Sequence, residues 1–142
     1  MPPRVHPAAG FDAALVAQVL ADALAPGVRV YGICGLQGSG KSTLAAQVAA
    51  MARSRGLRVA VLSVDDVYLG RGERQRLARR VHPLLATRGP PGTHDVGLGC
   101  ATLDALRDGT PVTLPRFDKL ADTRLPPSRW RRVDGVDLTL FE

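Results

Sequence analysis

The sequence predicts an α/β fold of three layers with a mostly parallel sheet. Three observations point to it. The apolar, β-branched run Val28-Arg29-Val30-Tyr31-Gly32-Ile33-Cys34 reads as a buried strand. A glycine-rich loop follows it and opens into Thr43-Leu44-Ala45-Ala46-Gln47-Val48-Ala49-Ala50-Met51, a run of helix formers. A second apolar run, Leu57-Arg58-Val59-Ala60-Val61-Leu62-Ser63-Val64, comes next. Strand, helix, strand is a βαβ unit, whose strands lie parallel and whose crossover is right-handed.

The loop between the first strand and its helix is Gly35-Leu36-Gln37-Gly38-Ser39-Gly40-Lys41-Ser42. It matches G-x-x-x-x-G-K-[ST], the Walker A or P-loop pattern, in the strand–loop–helix context that the pattern requires. Glycines let the backbone close around an anion with several N–H groups pointing inward. The helix beginning near Lys41 aims its positive dipole end at the same point. Lys41 reaches the β- and γ-phosphates of a nucleotide, and the Ser42 hydroxyl is a Mg²⁺ ligand. Gly35, Leu36, Gln37, Gly38, Ser39, Gly40, Lys41, Ser42 and Thr43 are therefore the candidate nucleotide-binding residues, with ATP and Mg²⁺ the expected cofactors. Lys41 and Lys119 are the chain's only lysines. A lysine kept here among many arginines suits a compact point charge. The structural alternative, a glycine turn that merely caps a helix, fits the flanks less well.

The remaining elements read in order. Residues 1–10 are Pro-rich and form a loose N-terminal arm, ahead of one domain over 11–142. From Phe11 to Ala25, Leu15, Val16, Val19, Leu20, Ala23 and Leu24 repeat at helical spacing, and Pro26-Gly27 stops that helix. The P-loop helix runs to about Arg55, where Gly56 is the stop. Asp65-Asp66-Val67-Tyr68-Leu69 begins where the second strand ends, and ligands of open parallel sheets bind beyond the strands' carboxyl ends. One of these carboxylates can act as general base toward an acceptor hydroxyl or help to hold Mg²⁺. Turn-forming aspartates capping a helix are the other reading. Glu73 to Val81 is a basic surface helix. Leu84 to Asp95, with Gly89-Pro90-Pro91-Gly92, is a shaped loop. Asp95 or Thr93 can cap the helix Val96 to Arg107, and capping and substrate contact account for Asp95 equally well. His94 alone reads as structural. A short strand, Pro111 to Leu114, leads to the charged loop Pro115-Arg116-Phe117-Asp118-Lys119. Leu125 to Arg132 is rich in Pro and Arg, with Trp130 as a local anchor. Val136 to Glu142 is an apolar strand ending in an acid, the position of a Walker B-type carboxylate near Mg²⁺.

Composition narrows the function classes. A chain of 142 residues with 45% hydrophobic and 23% charged residues suits one globular domain. There is no apolar run of membrane-spanning length, and the first residues lack the apolar core of a signal peptide. Cys34 and Cys100 do not make a disulfide framework, so a cytoplasmic location is expected, with Cys34 a small buried side chain. The net charge of +6 suits anionic small molecules. Three Phe, two Tyr and one Trp are few for base stacking, which argues against a nucleic-acid partner. Nothing in the sequence fixes the oligomeric state.

Several segments resemble one known family. Besides the Walker A stretch, Ser63-Val64-Asp65-Asp66-Val67-Tyr68-Leu69, Arg88-Gly89-Pro90-Pro91-Gly92-Thr93-His94-Asp95 and Leu114-Pro115-Arg116-Phe117-Asp118-Lys119 are similar to those of the P-loop D-glycerate 3-kinases. These belong with the phosphoribulokinase, uridine kinase and pantothenate kinase group. The terminal Leu140-Phe141-Glu142 resembles the start of that family's Phe-Glu-Gly-Trp segment. The resemblance implies a P-loop kinase core, expected to be incomplete at its C-terminus, and ATP-dependent phosphorylation of the 3-hydroxyl of D-glycerate. It implies that Asp65 is the catalytic base alongside Lys41. Asp66, Tyr68, Arg88, His94, Asp95, Arg116 and Lys119 match the acceptor-side motifs. A cationic fork such as Arg88 or Arg116 would hold the carboxylate of glycerate. Ser42, Asp65 and Glu142 are the candidate Mg²⁺ ligands. Val67 stands where the family has Phe. Two alternatives stay open: a related uridine- or pantothenate-type kinase, and a truncated ATP-binding module or pseudokinase without turnover.

Overall fold

The last strand of the chain is the central one of the main sheet. In the computed structural model, which describes residues 10–142, three parallel strands lie in the order β1–β7–β2. They span Val30–Gly32 (β1), Val59–Leu62 (β2) and Leu138–Phe141 (β7). The expected βαβ unit is present and its strands are parallel, but β7 separates them. The register sets Phe141 opposite Gly32 on one side and Leu62 on the other, so all three strands end at one level. The proposed N-terminal arm falls, except for Gly10, outside the described residues.

Side chains of β7 alternate between the sheet's two faces, as the period of two requires. Leu138 and Leu140 join Val59 against two helices, α1 (Ala13–Ala23) and α2 (Lys41–Ser54), through Val16, Leu20, Ala23, Val48, Ala49 and Ala52. Asp12 caps α1 by accepting from the Ala14 N–H at 2.7 Å. The small residues of α2 at the spacing Ala45, Val48, Ala49, Ala52 are all buried, which lets the helix lie close to the sheet. On the other face Ala60 and Val136 pack against Leu106 of α4 (Val96–Asp108). Val112, Leu114 and Val133 complete that second cluster.

Between β2 and α4 run α3 (Arg71–Arg80) and the turns on either side of it. Between α4 and β7 the chain adds no strand to the main sheet. Instead β3 (Val112–Leu114) pairs antiparallel with β6 (Arg131–Val133), and β4 (Phe117–Asp118) with β5 (Thr123–Arg124). Trp130 anchors its segment by donating from Nε1 to the Leu125 carbonyl at 2.8 Å.

Two sequence expectations are corrected. Cys34 is exposed, because it lies past the end of β1 where the chain leaves the sheet for the loop. The basic helix α3 is not purely a surface helix, since Arg74 is completely buried.

Replacing Leu20, which is 0% exposed within the larger core, by alanine should cost about 2–5 kcal/mol. Urea unfolding of Leu20→Ala against the parent chain measures this. The same change at Leu15, which is 46% exposed, should cost well under half as much.

Candidate active site

The loop between β1 and α2 is shaped by glycine where only glycine serves. Gly38 (φ 75°) and Gly40 (φ 92°) adopt left-handed conformations. A Cβ on Gly40 would also come within 3.1 Å of the Phe11 ring. No side chain caps α2, so its first N–H groups remain free to face an anion. Lys41 folds back over the loop, with Nζ donating to the carbonyls of Gly35 and Leu36, each at 3.0 Å. The Ser42 hydroxyl donates to the carboxylate of Glu142, 2.9 and 3.0 Å from its two oxygens.

The loop borders a cavity of about 900 Å³ that Asp65, Tyr68, Arg88, Lys119 and Glu142 also line. Nucleotide-loop residues and candidates from four other segments therefore share one space. The segment after β2 forms a 3-10 turn, Val64–Val67, started by Ser63, whose hydroxyl accepts from the Asp65 N–H at 3.2 Å. That turn sends its two aspartates apart. Asp65 faces the cavity and pairs with Lys119, Oδ2 to Nζ at 2.9 Å. The hydrogen bond and charge of Asp65 hold the Lys119 ammonium above its ordinary range. Asp66 turns inward, and its Oδ1 accepts from the Phe117 N–H at 3.0 Å. Burial raises its carboxyl above the ordinary range, against the opposing pull of that N–H and of Arg116. Asp66 and Arg116 line a neighbouring cavity of about 700 Å³, which meets the first at Ser42 and Glu142.

The loop Arg88–Asp95 docks on the same turn through the backbone. Leu69 N–H donates to Thr93 O at 2.9 Å, and Asp95 N–H to Val67 O at 2.7 Å. Tyr68 and His94 thereby stack, with ring centroids 4.1 Å apart and an interplanar angle of 22°. The Phe117 ring meets Tyr68 edge-on at 5.7 Å, and the Arg88 guanidinium carbon lies 5.1 Å from the centre of that ring. Burial raises the Tyr68 phenol and lowers the His94 imidazole. Arg88 Nη1 and His94 Nε2 are buried and meet no hydrogen-bond partner among the described residues. Unpaired buried polar atoms are costly, so a ligand that reached them would gain.

Asp95 is occupied by the protein itself. One oxygen caps α4, accepting from Leu98 N–H at 3.0 Å, and the other pairs with Arg124 Nη1 at 3.0 Å. Capping is thus the part of its two-way reading that the geometry displays. The sequence reading missed Arg124 and Phe117 as organisers of this side. The pattern Phe117-Asp118-Lys119-Leu120-Ala121-Asp122-Thr123-Arg124, an aromatic and a cation flanking a short polar turn, carried a hairpin signal that could have found them.

This chain is similar to several named and solved proteins. It is 35% identical over 125 residues to the D-glycerate 3-kinase, chloroplastic, of Arabidopsis thaliana, with 80% of this chain and 27% of that protein covered. It is 39% identical over 123 residues to the uncharacterized kinase mug58 of Schizosaccharomyces pombe, with 80% of this chain and 44% of that protein covered. The solved D-glycerate 3-kinase from Cryptococcus neoformans var. grubii superposes with a TM-score of 0.69 at 29% identity, covering 91% of this chain and 49% of that one. Residues 5–79 match the family model described as methylmalonyl Co-A mutase-associated GTPase MeaB. That match spans more than half of the chain, which belongs to the P-loop family this model describes. The GTPase match takes in β1, the loop, α2, β2 and most of α3, and stops before the Arg88–Asp95 loop and β4. The kinase relatives cover more of the chain. The chain in turn spans less than half the length of the curated relatives it matches. Among the described residues no helix is long and apolar enough to cross a membrane.

His94 gives the site a pH signature. Its ordinary pKa is 6.5 and burial lowers it in the folded chain. Between those two values the unfolded chain binds more protons, so stability falls as the pH drops through that window. Melting temperatures measured from about pH 7 to about pH 5 should fall less for His94→Phe, which keeps the stack on Tyr68, than for the parent chain.

Proposed function

We propose that this chain carries the catalytic core of an ATP-dependent small-molecule kinase whose acceptor is the hydroxyl of a small anion, D-glycerate above others. The observation that carries the reading is the shared cavity: the nucleotide loop opens on the same space as Asp65, Arg88 and Lys119. The names of the relatives support the same class, and two of those proteins are D-glycerate 3-kinases.

In this reading the loop amides and the α2 N-terminus hold the phosphates of ATP, and Lys41 swings from its two carbonyls onto the β- and γ-oxygens. Asp65 accepts the proton of the acceptor hydroxyl as that oxygen bonds to the γ-phosphorus. The bond from γ-phosphorus to the bridging oxygen breaks, and ADP leaves. Lys119 and Arg88 pair with the acceptor's carboxylate, so a bound acceptor competes with Asp65 for Lys119 and frees the base. The unpartnered Arg88 Nη1 is the donor best suited to that contact. Ser42 and Glu142 would hold Mg²⁺, since a hydroxyl and a carboxylate already converge there as hard oxygen donors. The ion, when bound, supplies neutralising charge to the phosphates. Most of the rate would come from positioning and charge stabilisation, with little covalent work for the protein.

A second reading is a nucleotide-binding module without turnover, favoured by the family match over residues 5–79, which takes in the nucleotide loop and ends before the Arg88–Asp95 loop. ATP consumption with Mg²⁺, with and without D-glycerate, separates the two. Glycerate-dependent ADP formation is expected for the kinase. Calorimetric ATP binding with no turnover would leave the module. A panel including uridine and pantothenate fixes the acceptor class.

If Asp65 is the base, Asp65→Asn should lower turnover by about 10²–10⁴-fold and leave ATP affinity nearly unchanged. Near-normal turnover by that variant would remove Asp65 from the role.

A further inference from the structure

Arg74 is 0% exposed in a helix whose other arginines face outward. A guanidinium stays charged, so burying it is tolerable only when its donors are matched. They are matched by three separate segments. Nε donates to Leu69 O at 3.2 Å, at the end of the Asp65-Asp66 turn. Nη1 donates to Ala86 O at 2.8 Å, just before the Arg88–Asp95 loop. Nη2 donates to Asp122 O at 2.7 Å and lies 2.8 Å from Asp122 Oδ1, in the β4–β5 turn.

Asp122 is the non-glycine residue with positive φ among the described residues, at 53°. Aspartate tolerates that conformation better than most residues, and here its carbonyl and its carboxylate both turn to Arg74. The same Oδ1 takes a second partner, Arg88 Nε at 3.4 Å. One carboxylate oxygen therefore couples the buried Arg74 to the guanidinium whose Nη1 has no partner. Lys119, in the same turn as Asp122, is held on Asp65.

We propose that Arg74 and Asp122 are a positioning pair that sets Arg88 and Lys119 for the anionic group of the acceptor. The inference rests on the acceptor assignment made above. Arg74 fixes the β4–β5 turn and the start of the Arg88 loop relative to the turn that carries Asp65. Asp122 then holds Arg88 by its Nε edge and leaves Nη1 without a protein partner for the ligand to meet. Neither residue lines the nucleotide cavity, so ATP binding does not depend on them.

The test is the affinity of the full chain for D-glycerate and for ATP, each read by calorimetry. Asp122→Asn keeps the carbonyl and the tolerance of positive φ, and removes the shared charge. It should weaken D-glycerate binding roughly 5- to 20-fold with ATP affinity little changed, and lower the melting temperature because the buried Arg74 loses its carboxylate. Arg74→Lys keeps the charge and loses the fork. It should weaken D-glycerate binding at least as much and also lower the melting temperature. Asp137→Asn, which removes the carboxylate paired with Arg58 at the opposite end of β7, should alter neither affinity. Where turnover is measurable, the KM for D-glycerate should rise with kcat nearly constant. Unchanged D-glycerate affinity in Asp122→Asn, or an equal loss for both ligands, would overturn the pair as a positioning device. Failure of the parent chain to bind D-glycerate at all would instead overturn the acceptor assignment, and the inference with it.

Discussion

The parallel pairing of β7 with both β1 and β2 is the constraint on which the rest of the molecule depends. Its register aligns the carboxyl ends of all three strands. The phosphate loop leaves one of those ends, the Asp65-Asp66 turn leaves another, and Glu142 follows the third. Binding beyond the carboxyl ends of parallel strands is then a geometric consequence, since that is where loops and helix N-termini collect. The Ser42–Glu142 contact joins residues 100 positions apart, and it needs no adjustment beyond that register. Leu138 and Leu140 of this strand build the α1–α2 core, and Val136, just before it, packs in the α4 core. A one-residue slip would send Leu138 and Leu140 to the wrong face and draw Glu142 away from Ser42. Packing and site geometry thus select the same register.

Charge is distributed by the kind of contact each position needs. The chain's two lysines make single-point contacts, Lys41 over the loop carbonyls and Lys119 on Asp65, which the proposed function has them exchange for ligand oxygens. Arginines stand where a planar fork must join several fixed acceptors, as Arg74 does with three segments and Arg124 does with Asp95 and Glu73. The paired surface arginines, such as Arg58 with Asp137, are half-exposed or more and contribute little stability.

Local chemistry made much of this legible in the sequence. Gly38 and Gly40 mark the loop because no other residue takes their backbone angles cheaply, and the apolar runs around Val30, Val59 and Leu138 mark strands through β-branching. The ends of α2 and α4 follow from Gly56 and Gly109, both at positive φ. What stayed hidden was set by contacts between distant segments. Nothing in Val136–Glu142 alone says that it inserts between two earlier strands. Two adjacent aspartates look equivalent in sequence, yet the 3-10 turn sends Asp65 to the cavity and Asp66 to the Phe117 amide. Arg74 sits in a run of arginines with the same helical spacing as its exposed neighbours. Its burial depends on carbonyls contributed 5, 12 and 48 residues away. Cys34 ends an apolar run and is still exposed, because the ladder of β1 stops at Gly32.

The two sides of the cavity are held together by different forces, and this bears on how the site can work. The nucleotide side rests on an apolar core of α1, α2 and the sheet, close-packed and insensitive to bound charge. The acceptor side rests on backbone bridges, a stacked Tyr68–His94 pair and ion pairs around Asp122, with Val67 and Phe117 among the few buried apolar residues there. Segments with few buried apolar contacts open at lower free energy than the core. The acceptor loops can therefore rearrange while the phosphate loop stays formed. Under the proposed function, a small anion entering the site would replace contacts of one sort, carboxylate to lysine and arginine, with contacts of the same sort. Such a like-for-like exchange would let the acceptor bind without disturbing the strands that hold the nucleotide loop, Asp65 and Glu142 in line.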